Sequence, residues 1–328
     1  MLKSVLKRLL FTLLWLQCGA VYAMEFAAWQ PLLIKNIPPR PHPAITGSEF
    51  AKQALGMDED QREQAILAQL LEGNMPEFLR KLGPVRLRHK FEDGRIITAT
   101  IFVMPDYLAI GSNRDFLRIP MNLYTATAIA RQFGFILPTK KMVDAIYEQS
   151  AYCFRPEPLP PGPQMRSTVY YLTHNRKIKK QRLVKGLPLG GLVSGHKKDV
   201  VITNRLAPKH KRIAIYGWHH GKGDPIQPLS TVHGARYADY SHGIRLVSEI
   251  VLIDGKPRYA YDILRDPKLS SVLSEEGAIQ NLPKIMGTWG RAGRELSLMS
   301  PLKINKYSKR PKKMVIASSR ATQQSDVP

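Results

Sequence analysis

The sequence predicts an α+β fold with a mixed or antiparallel sheet and flanking helices. Strand-like and helical segments follow one another without the regular alternation that builds a parallel sheet. Residues 85–103 are rich in β-branched residues and are interrupted by an acidic turn sequence ending in Gly94, which indicates a hairpin. Apolar residues within 58–72 instead recur at helical spacing and stop before Gly73. Both patterns therefore occur in the first third of the chain.

The next predicted elements are a short strand and two helices. Residues 106–111 form the strand. The first helix covers 125–133 and ends at Gly134, a residue type that adopts the left-handed backbone found after many helices. Thr139 is a suitable N-cap for the second helix, which extends to about Gln149.

The second half of the chain is predicted to be mostly β. A strand over 167–173 precedes a basic stretch, and further strands cover 200–206, 213–218 and 244–253. Short helices are expected within 261–273. The order of these elements favours α+β over a doubly wound α/β fold.

Composition divides the chain into five parts. Prolines predict an extended arm on the surface in the second part, and the polar C-terminal part is expected to be disordered. We expect the two central parts to form one composite domain. The predicted parts are a signal peptide (1–23), a proline-rich arm (24–47), an N-terminal α+β part (48–155), a histidine-rich β part (156–300) and a basic tail (301–328).

The N-terminus has the three parts of a secretory signal peptide. Lys3, Lys7 and Arg8 give a positive start, residues 9–16 are apolar, and small residues precede the cleavage position after Ala23. The apolar run is shorter than the roughly 20 residues that span a bilayer, so we expect cleavage rather than retention as an anchor. Export to the periplasm or the exterior is therefore predicted.

The chain is strongly basic, with 49 lysines and arginines against 26 aspartates and glutamates and a formal charge of +23. Loss of three positive residues with the signal peptide leaves +20. Such a charge predicts attraction to polyanions or to a membrane surface. An anionic cell-envelope polymer is the expected partner, since no zinc-finger spacing or aromatic RNA-binding signature indicates nucleic acid. No later segment is apolar enough to be a transmembrane helix.

The cysteine content excludes an internal disulfide in the mature protein. Cys18 lies in the signal peptide, where lipidation is the alternative to simple cleavage, and the other cysteine is Cys153. A proline-containing, non-helical segment follows Cys153, so no helix dipole activates its thiol. We interpret it as a packed residue rather than a nucleophile.

Six of the nine histidines fall between residues 196 and 242, and most have a glycine neighbour. Histidine changes charge near neutral pH, and glycine lets the backbone approach a ligand closely. These positions lie at the ends of predicted strands, where a sheet presents functional loops. The region therefore predicts a functional site. Its histidines are His196, His210, His219, His220, His233 and His242.

Acid–base catalysis is the first of three chemistries open to this region. His219 or His242 can act as the acid or base when oriented by Asp199 or Asp239. Arg245 can bind a carboxylate or stabilise developing negative charge. We expect the two histidines to face one pocket.

A divalent metal and a serine nucleophile are the other two options. The candidate metal ligands, which lack an HExxH spacing, are His196, Asp199, His219, His233 and His242. Ser241 would need His219 or His233 as its base, because adjacent side chains on a strand point to opposite faces. The expected substrate-binding residues are His196, Lys197, Trp218, His233 and Ser241.

Two earlier segments can contribute to the same site. Residues 106–112 and 115–118 mix polar groups with apolar strand residues. The helix that starts after Thr139 offers free backbone amides that can hold an anionic group.

Residues 241–246, Ser-His-Gly-Ile-Arg-Leu, resemble the active-site strand of L,D-transpeptidases, which crosslink peptidoglycan through a Ser-His-Gly-Cys-x-Arg motif. An upstream His-Gly pair is also usual in that family, and 220–221 or 233–234 can correspond to it. The resemblance is short and departs at the nucleophile, because Ile244 stands at the cysteine position and Arg245 is one residue closer. It implies a related scaffold without cysteine chemistry.

Together these features predict an exported, envelope-directed hydrolase or related transferase that acts on peptidoglycan or polysaccharide through a His/Asp site. The alternative is a non-catalytic, exported protein that binds anionic envelope polymers. In that interpretation the lysines and Arg245 hold the ligand, while the histidines are packing residues. Convergence of the histidines and aspartates in one pocket favours the enzyme, and dispersal of these residues around the surface favours the binding protein.

Overall fold

The computed structural model describes residues 28–209, 211–280 and 282–286. The predicted signal peptide, the predicted basic tail and His210 lie outside these residues. The helices are α1 (Gly47–Ala54), α2 (Glu59–Leu71), α3 (Leu123–Phe133), α4 (Lys140–Gln149), α5 (Thr168–Val184), α6 (Ala260–Arg265) and α7 (Leu282–Met286). Among the described residues, no helix has the length and apolar character needed to cross a membrane.

The strands come from both halves of the chain. They are β1 (Gly83–Lys90), β2 (Ile96–Val103), β3 (Ala109–Gly111), β4 (Phe116–Arg118), β5 (Phe135–Ile136), β6 (Tyr152–Cys153), β7 (Val193–Ser194), β8 (Lys198–Val200), β9 (Ile215–Gly221), β10 (Asp224–Ser230), β11 (His242–Gly243), β12 (Val247–Ser248), β13 (Ile250–Ile253) and β14 (Lys256–Tyr259).

A six-stranded antiparallel sheet is built around β2, which pairs with β1 and, on its other side, with β12 and β13. A second, mixed sheet has the order β10-β9-β8-β11, in which β11 runs parallel to β8. The pairs β3–β4 and β6–β7 form two small sheets. The structure is therefore α+β with mixed and antiparallel sheets and flanking helices, as the sequence predicts.

Side chains from both central parts of the chain pack in one hydrophobic core. Leu70, Ile101 and Phe133 from the first part lie in the same buried cluster as Ile215 and Val251 from the second. Burial of this apolar surface is the main stabilising contribution to the fold. The core also fixes the position of the mixed sheet relative to α3 and α4.

Local sequence signals explain the elements that were predicted correctly. The β1–β2 hairpin spans the turn that contains Gly94. Gly134 ends α3 with a φ of 79°, the left-handed backbone that glycine adopts without strain. Thr139 caps α4 by accepting a hydrogen bond from the backbone N–H of Met142.

The prediction of a strand over 167–173 is wrong, because these residues begin α5. Ser167 caps this helix by accepting a hydrogen bond from the backbone N–H of Tyr170. The buried face of α5 then includes His174, Ile178 and Arg182, a helical spacing that is difficult to recognise when half of its members are polar. The β-branched and aromatic start of the segment gave a misleading strand signal, and tertiary packing overrides it.

The proline-rich arm is more deeply packed than predicted. Residues 28–33 are helical, and Trp29, Leu32 and Leu33 lie in the main core. Residues 34–46, which include the proline-dense stretch 38–43, lack helix and strand. Burial of these three large apolar side chains holds this part of the arm against the core despite the prolines that follow. Each contributes roughly 1.5–3 kcal/mol to the free energy of folding when fully buried.

Candidate functional site

Strand β8 divides the predicted site residues into two groups. Adjacent residues of a strand face opposite sides of the sheet, so Lys198 and Asp199 point in opposite directions. In the parallel pairing with β11, Lys198 lies beside His242 and Asp199 beside Gly243. One histidine group forms on each side of this strand.

The first group opens into a cleft of about 670 Å³ between α4 and the β9–β10 hairpin, here called the His219 cleft. Its walls combine basic and acidic side chains with tyrosines and prolines. The lining residues are Lys140, Asp144, Tyr147, Glu148, Arg205, Tyr216, His219, Lys222, Gly223, Pro225, Pro228, Leu229, Glu275 and Glu276.

Helix α4 supplies one wall of the His219 cleft. Lys140, Asp144 and Tyr147 are spaced at i, i+4 and i+7, so they share one face of the helix. The opposite face buries Met142 and Ile146 in the core. Packing of the apolar face therefore turns the polar face towards the cleft.

Asp144 is held by three polar neighbours in this wall. The Tyr216 hydroxyl donates to its Oδ1 at 2.7 Å, and Lys140 Nζ donates to its Oδ2 at 2.8 Å. Burial acts to raise the pKa of Asp144, but the contacts with His219, Lys140 and Tyr216 lower it overall. Asp144 is therefore ionised at neutral pH, with its side chain 28% exposed to the cleft.

His219 lies beside this carboxylate, with Nε2 3.5 Å from Asp144 Oδ1. The ring stacks at a tilt on Tyr147, with a centroid distance of 4.5 Å, and meets Tyr216 edge-on. Nε2 is buried and has no hydrogen-bond partner among the described residues. The imidazole is thus fixed in orientation while one of its nitrogens keeps an unused hydrogen-bonding position.

The backbone of β9 is irregular where it delivers His219 to the cleft. Gly217 has a φ of 109° and Trp218 a φ of 59°, so two successive residues lie in the left-handed region. A Cβ atom at Gly217 would lie 3.3 Å from His219 Cε1 and 3.6 Å from Asp199 Oδ2. Because Gly217 has no side chain, the His219 imidazole and the Asp199 carboxylate can lie close to each other.

Asp199 is the buried carboxylate behind His219. Its Oδ2 accepts a hydrogen bond from the Tyr107 hydroxyl at 2.8 Å, and its Oδ1 lies 3.8 Å from Arg245 Nε. Burial raises the pKa of Asp199 to about 6, although Arg245 and Tyr107 act in the opposite direction. His219 therefore has two carboxylate neighbours whose pKa values are shifted in opposite directions.

The second group, here called the Asp239 cluster, consists of Asp239, Ser241, His242, Tyr237 and His233. Asp239 Oδ1 accepts hydrogen bonds from the backbone N–H and the hydroxyl of Ser241, and its Oδ2 accepts one from the Tyr237 hydroxyl. Burial acts to raise the pKa of Asp239, but His242 and the Ser241 hydrogen bonds lower it overall. The Ser241 hydroxyl is therefore engaged by a carboxylate rather than by a histidine base.

His242 is completely buried in the Asp239 cluster. Its Nε2 lies 3.8 Å from Asp239 Oδ2, and neither ring nitrogen has a hydrogen-bond partner among the described residues. Burial lowers the pKa of His242 to about 4, so the ring is neutral at pH 7. His233 stacks on Tyr237 at a centroid distance of 4.1 Å and is 6.1 Å from the His242 ring.

The two histidines expected to face one pocket thus have different neighbours. His219 contacts Asp144 and two tyrosines, whereas His242 contacts Asp239 and His233. The structure brings Asp199 and Arg245 together on the side of His219. It gathers the remaining predicted members, Asp239, Ser241, His233 and His242, in the other group.

His196 belongs to a third, fully buried group, here called the Asp106 cluster. Asp106 accepts a bidentate pair of hydrogen bonds from Arg118 and also contacts Arg182 and His196, whose Nε2 is 3.0 Å away. Burial acts to raise the pKa of Asp106, but Arg118 and His196 hold it well below its usual range. Residues 106–112 and 115–118 do contact predicted site residues. However, Asp106, Arg118 and His196 form a network of hydrogen bonds and ion pairs in the protein interior.

The predicted substrate-binding residues Lys197 and Trp218 are also buried. Lys197 Nζ donates to the backbone carbonyl of Tyr240, and burial lowers the pKa of Lys197 to about 7. The Trp218 indole lies beneath the Lys198 ammonium at 5.1 Å, and its Nε1 has no hydrogen-bond partner among the described residues. These two side chains face inward rather than towards the His219 cleft.

The candidate metal ligands are distributed over the three groups. Across residues 28–209, 211–280 and 282–286, no three histidine, cysteine, aspartate or glutamate side chains are arranged as a metal site requires. Cys153 is partly buried, with Sγ 3.6 Å from Ser194 Oγ. The described residues therefore provide no metal site in the His219 cleft, and Cys153 is not among the residues that line it.

Sequence reasoning missed three residues of the cleft, namely Asp144, Tyr147 and Tyr216. The spacing of Lys140, Asp144 and Tyr147 on the polar face of a helix is visible in the sequence, but such a face is usually only solvated. Their significance depends on the β9–β10 hairpin lying against α4, which is a tertiary contact.

Comparison with known proteins adds no assignment, since no family model, no curated protein and no solved structure matches the chain.

Proposed function

We propose that this protein is a hydrolase or related transferase that uses His219 for acid–base catalysis on a peptidoglycan or polysaccharide substrate. The supporting observation is the pair formed by His219 and Asp144 in the wall of the 670 Å³ cleft. A buried, oriented histidine beside an ionised carboxylate in a cleft is the arrangement that general acid–base catalysis needs.

His219 and Asp144 act together on one oxygen of the substrate or of water. Their facing atoms are 3.5 Å apart and Nε2 is buried, so a small outward movement of the Asp144 side chain admits the attacking group, whose hydroxyl proton is donated to His219 Nε2. His219 removes this proton as the oxygen forms its new bond to the substrate, and the negative charge of Asp144 stabilises the imidazolium that results. As the scissile bond of the substrate breaks, the proton passes from His219 to the leaving group.

Asp199 assists from behind the imidazole. With a pKa of about 6 it carries a proton at mildly acidic pH, whereas Asp144 is ionised there. Opposite shifts in two neighbouring carboxyl groups are the usual sign of divided acid and base roles. Asp199 is therefore a positioning residue that tunes His219, since it lies behind the ring and not in the lining of the cleft.

The lining of the cleft supports a polar polymer as the substrate. Arg205 can pair with carboxylates, and Tyr147 offers an aromatic surface, whereas Lys140 and Glu148 are paired with Asp144 and Lys222 in the walls of the cleft. The volume lies within the roughly 300–1,000 Å³ of ordinary ligand sites. The predicted export signal and the net charge of +20 after its cleavage support an anionic envelope polymer as the substrate.

Incubation with purified sacculi, followed by mass spectrometry of released fragments, tests this function. Wild-type protein is expected to release fragments, and Asp144→Asn to lose at least about tenfold in rate because the imidazolium loses its stabilising charge. Asp239→Asn is the matched control in the other histidine group. Loss of activity in Asp239→Asn alone would move the chemistry to the Asp239 cluster, and no release by wild type would favour the non-catalytic alternative.

A further inference from the structure

A second cleft, of about 290 Å³, lies between the first turn of α3, residues 206–209 and 211–212, and α7. We call it the cationic cleft. Its lining residues are Leu123, Tyr124, Thr127, Leu206, Ala207, Lys209, Lys211, Arg212, Ala235, Lys284 and Ile285.

The charges of the cationic cleft are all of one sign. Four of its lining residues are lysine or arginine, and no aspartate or glutamate is among them. Among the ion pairs of the described residues, none involves Lys209, Lys211 or Arg212. All three cations are exposed; Lys209 Nζ donates to Thr231 Oγ1 and the Arg212 guanidinium donates to the backbone carbonyl of Val232.

The cations are held on a fixed edge of the structure. Lys211 has a φ of 66°, an unfavourable conformation for a residue with a side chain. It is maintained because the backbone N–H of Ala235 donates to the Lys211 carbonyl at 2.8 Å, while Arg212 forms a bridge with Gly234. A strained, well-anchored lysine in a cationic cleft indicates a binding role rather than a random surface charge.

We propose that the cationic cleft binds one strand of a linear polyanion, whose phosphate or carboxylate groups pair with Lys209, Lys211 and Arg212. The concave shape and small volume suit a single flexible chain. A flat bilayer or a wide duplex can reach the exposed cations, whereas a single strand can also lie against the recessed residues Leu123, Leu206 and Ala235.

The cationic cleft is next to the His219 cleft. Arg205 lines the His219 cleft and Leu206 lines the cationic cleft, and both belong to the single 3-10 turn Asn204–Leu206. A polymer strand held by the cations can therefore extend towards His219. Binding in the cationic cleft nevertheless stands on its own charges and does not require that His219 be catalytic.

Charge reversal tests this proposal, with linear polyphosphate and poly-L-glutamate as the probes. We expect both probes to bind at low salt and to be released as the salt is raised, since exposed charges are screened. The double variant Lys209→Glu/Arg212→Glu should weaken binding at least about tenfold. The matched control Arg88→Glu/Lys90→Glu makes the same change of net charge on β1, and it should weaken binding less than about threefold.

The two probes distinguish the source of the anionic group. Weakening confined to polyphosphate identifies a phosphate polymer as the ligand, and weakening confined to polyglutamate identifies a carboxylate polymer. Equal weakening by the cleft and control variants would overturn the proposal in favour of diffuse charge. Loss of binding to anionic vesicles without any change for either polymer would overturn it in favour of a membrane surface.

Lys211→Gly separates binding from folding. Glycine tolerates a φ of 66° without strain, so this variant should keep or raise the melting temperature. Because it also removes a cation, binding of the polyanion should weaken about two- to fivefold. A variant that binds as tightly as wild type would contradict the role assigned to this lysine.

Discussion

At the residue scale, the position of one buried carboxylate controls the proposed chemistry. Asp199 is nearly inaccessible to solvent, and its Oδ1 has no hydrogen-bond partner among the described residues. Burial raises its pKa to about 6, from a usual value of 3.8. The folded protein therefore keeps a proton on Asp199 at pH values at which the unfolded chain has released it.

This difference predicts a pH dependence of stability. Because the folded pKa exceeds the unfolded one, the stabilising contribution is complete below about pH 4 and is lost as the pH rises through 6, by about 3 kcal/mol. His196 and His242, whose pKa values are lowered to about 4, give the opposite slope, so wild type alone is not informative. Comparison with Asp199→Asn isolates the effect.

Urea denaturation of wild type and Asp199→Asn at pH values from 4 to 7 checks this prediction. The free energy of unfolding of Asp199→Asn should improve relative to wild type by about 2 kcal/mol across this range, which covers most of the titration. The offset between the two curves depends on how Arg245 tolerates the neutral amide, but the change with pH does not. Parallel curves would show that Asp199 is already ionised at pH 4.

At the element scale, β9 combines a regular strand with a strained segment that delivers His219. Gly217 and Trp218 both have positive φ, and the ring of His219 packs directly over Gly217. Strained backbone of this kind costs of order 1–3 kcal/mol and is retained where surrounding structure enforces it. Gly217 remains paired with both β8 and β10, so the sheet itself holds the strained backbone that positions His219.

Substitution of Gly217 by alanine should reduce activity more than it reduces stability. The new Cβ would be 3.3 Å from His219 Cε1, so the ring must shift away from Asp144 and Asp199. We expect about a tenfold or greater loss of fragment release from sacculi, with destabilisation of about 1–2 kcal/mol.

Gly94→Ala is the matched control, because Gly94 has a φ of 82° in the β1–β2 turn and no atom lies within 4 Å of the place that an added Cβ would occupy. It introduces similar backbone strain outside the lining of the His219 cleft and should lower stability without a separate loss of activity. Equal effects of the two substitutions on activity would show that Gly217 has no special relation to His219.

The elements that were predicted well carry their signals locally. The β1–β2 hairpin, the Gly134 stop of α3 and the Thr139 cap of α4 all depend on residues within the element itself. Helix α5 was mistaken for a strand because its stability depends on a mostly polar buried face that packs elsewhere in the fold. Sequence patterns thus identify elements with local signals and miss those that tertiary contacts define.

The candidate site shows the same division. The sequence drew attention to the histidine-rich region, and both His219 and His242 prove to be buried beside carboxylates. Asp144, the partner of His219, was not predicted because it lies 75 positions earlier on a helix, and nothing in its neighbours marks it. Which carboxylate meets which histidine depends on how β8 and β9 are paired.

At the scale of the whole molecule, charge and export define the expected setting. The formal charge of +23 favours polyanions, and the three-part N-terminus predicts a secretory signal peptide. The charge is a property of the whole chain and the signal peptide is a property of its N-terminus, so neither depends on the His219 cleft. Experiments on them therefore test the proposed destination separately from the proposed chemistry.

Export should leave a mature protein that begins at Met24. Mass spectrometry of the N-terminal peptide, after expression of the full chain in a Gram-negative host, measures this directly. Retention of residues 1–23 on a protein recovered from the cytoplasm would contradict export. A lipid-modified Cys18 at the N-terminus would instead establish the alternative processing.

The central claim is that His219 carries the chemistry, and one pair of adjacent substitutions tests it most directly. His219→Ala and His220→Ala remove the same side chain from a buried and an exposed position of β9. With folding verified by circular dichroism, His219→Ala should slow fragment release from sacculi by roughly 10²–10⁴-fold, while His220→Ala should retain the wild-type rate. Release by folded His219→Ala at the wild-type rate would contradict the catalytic role of His219.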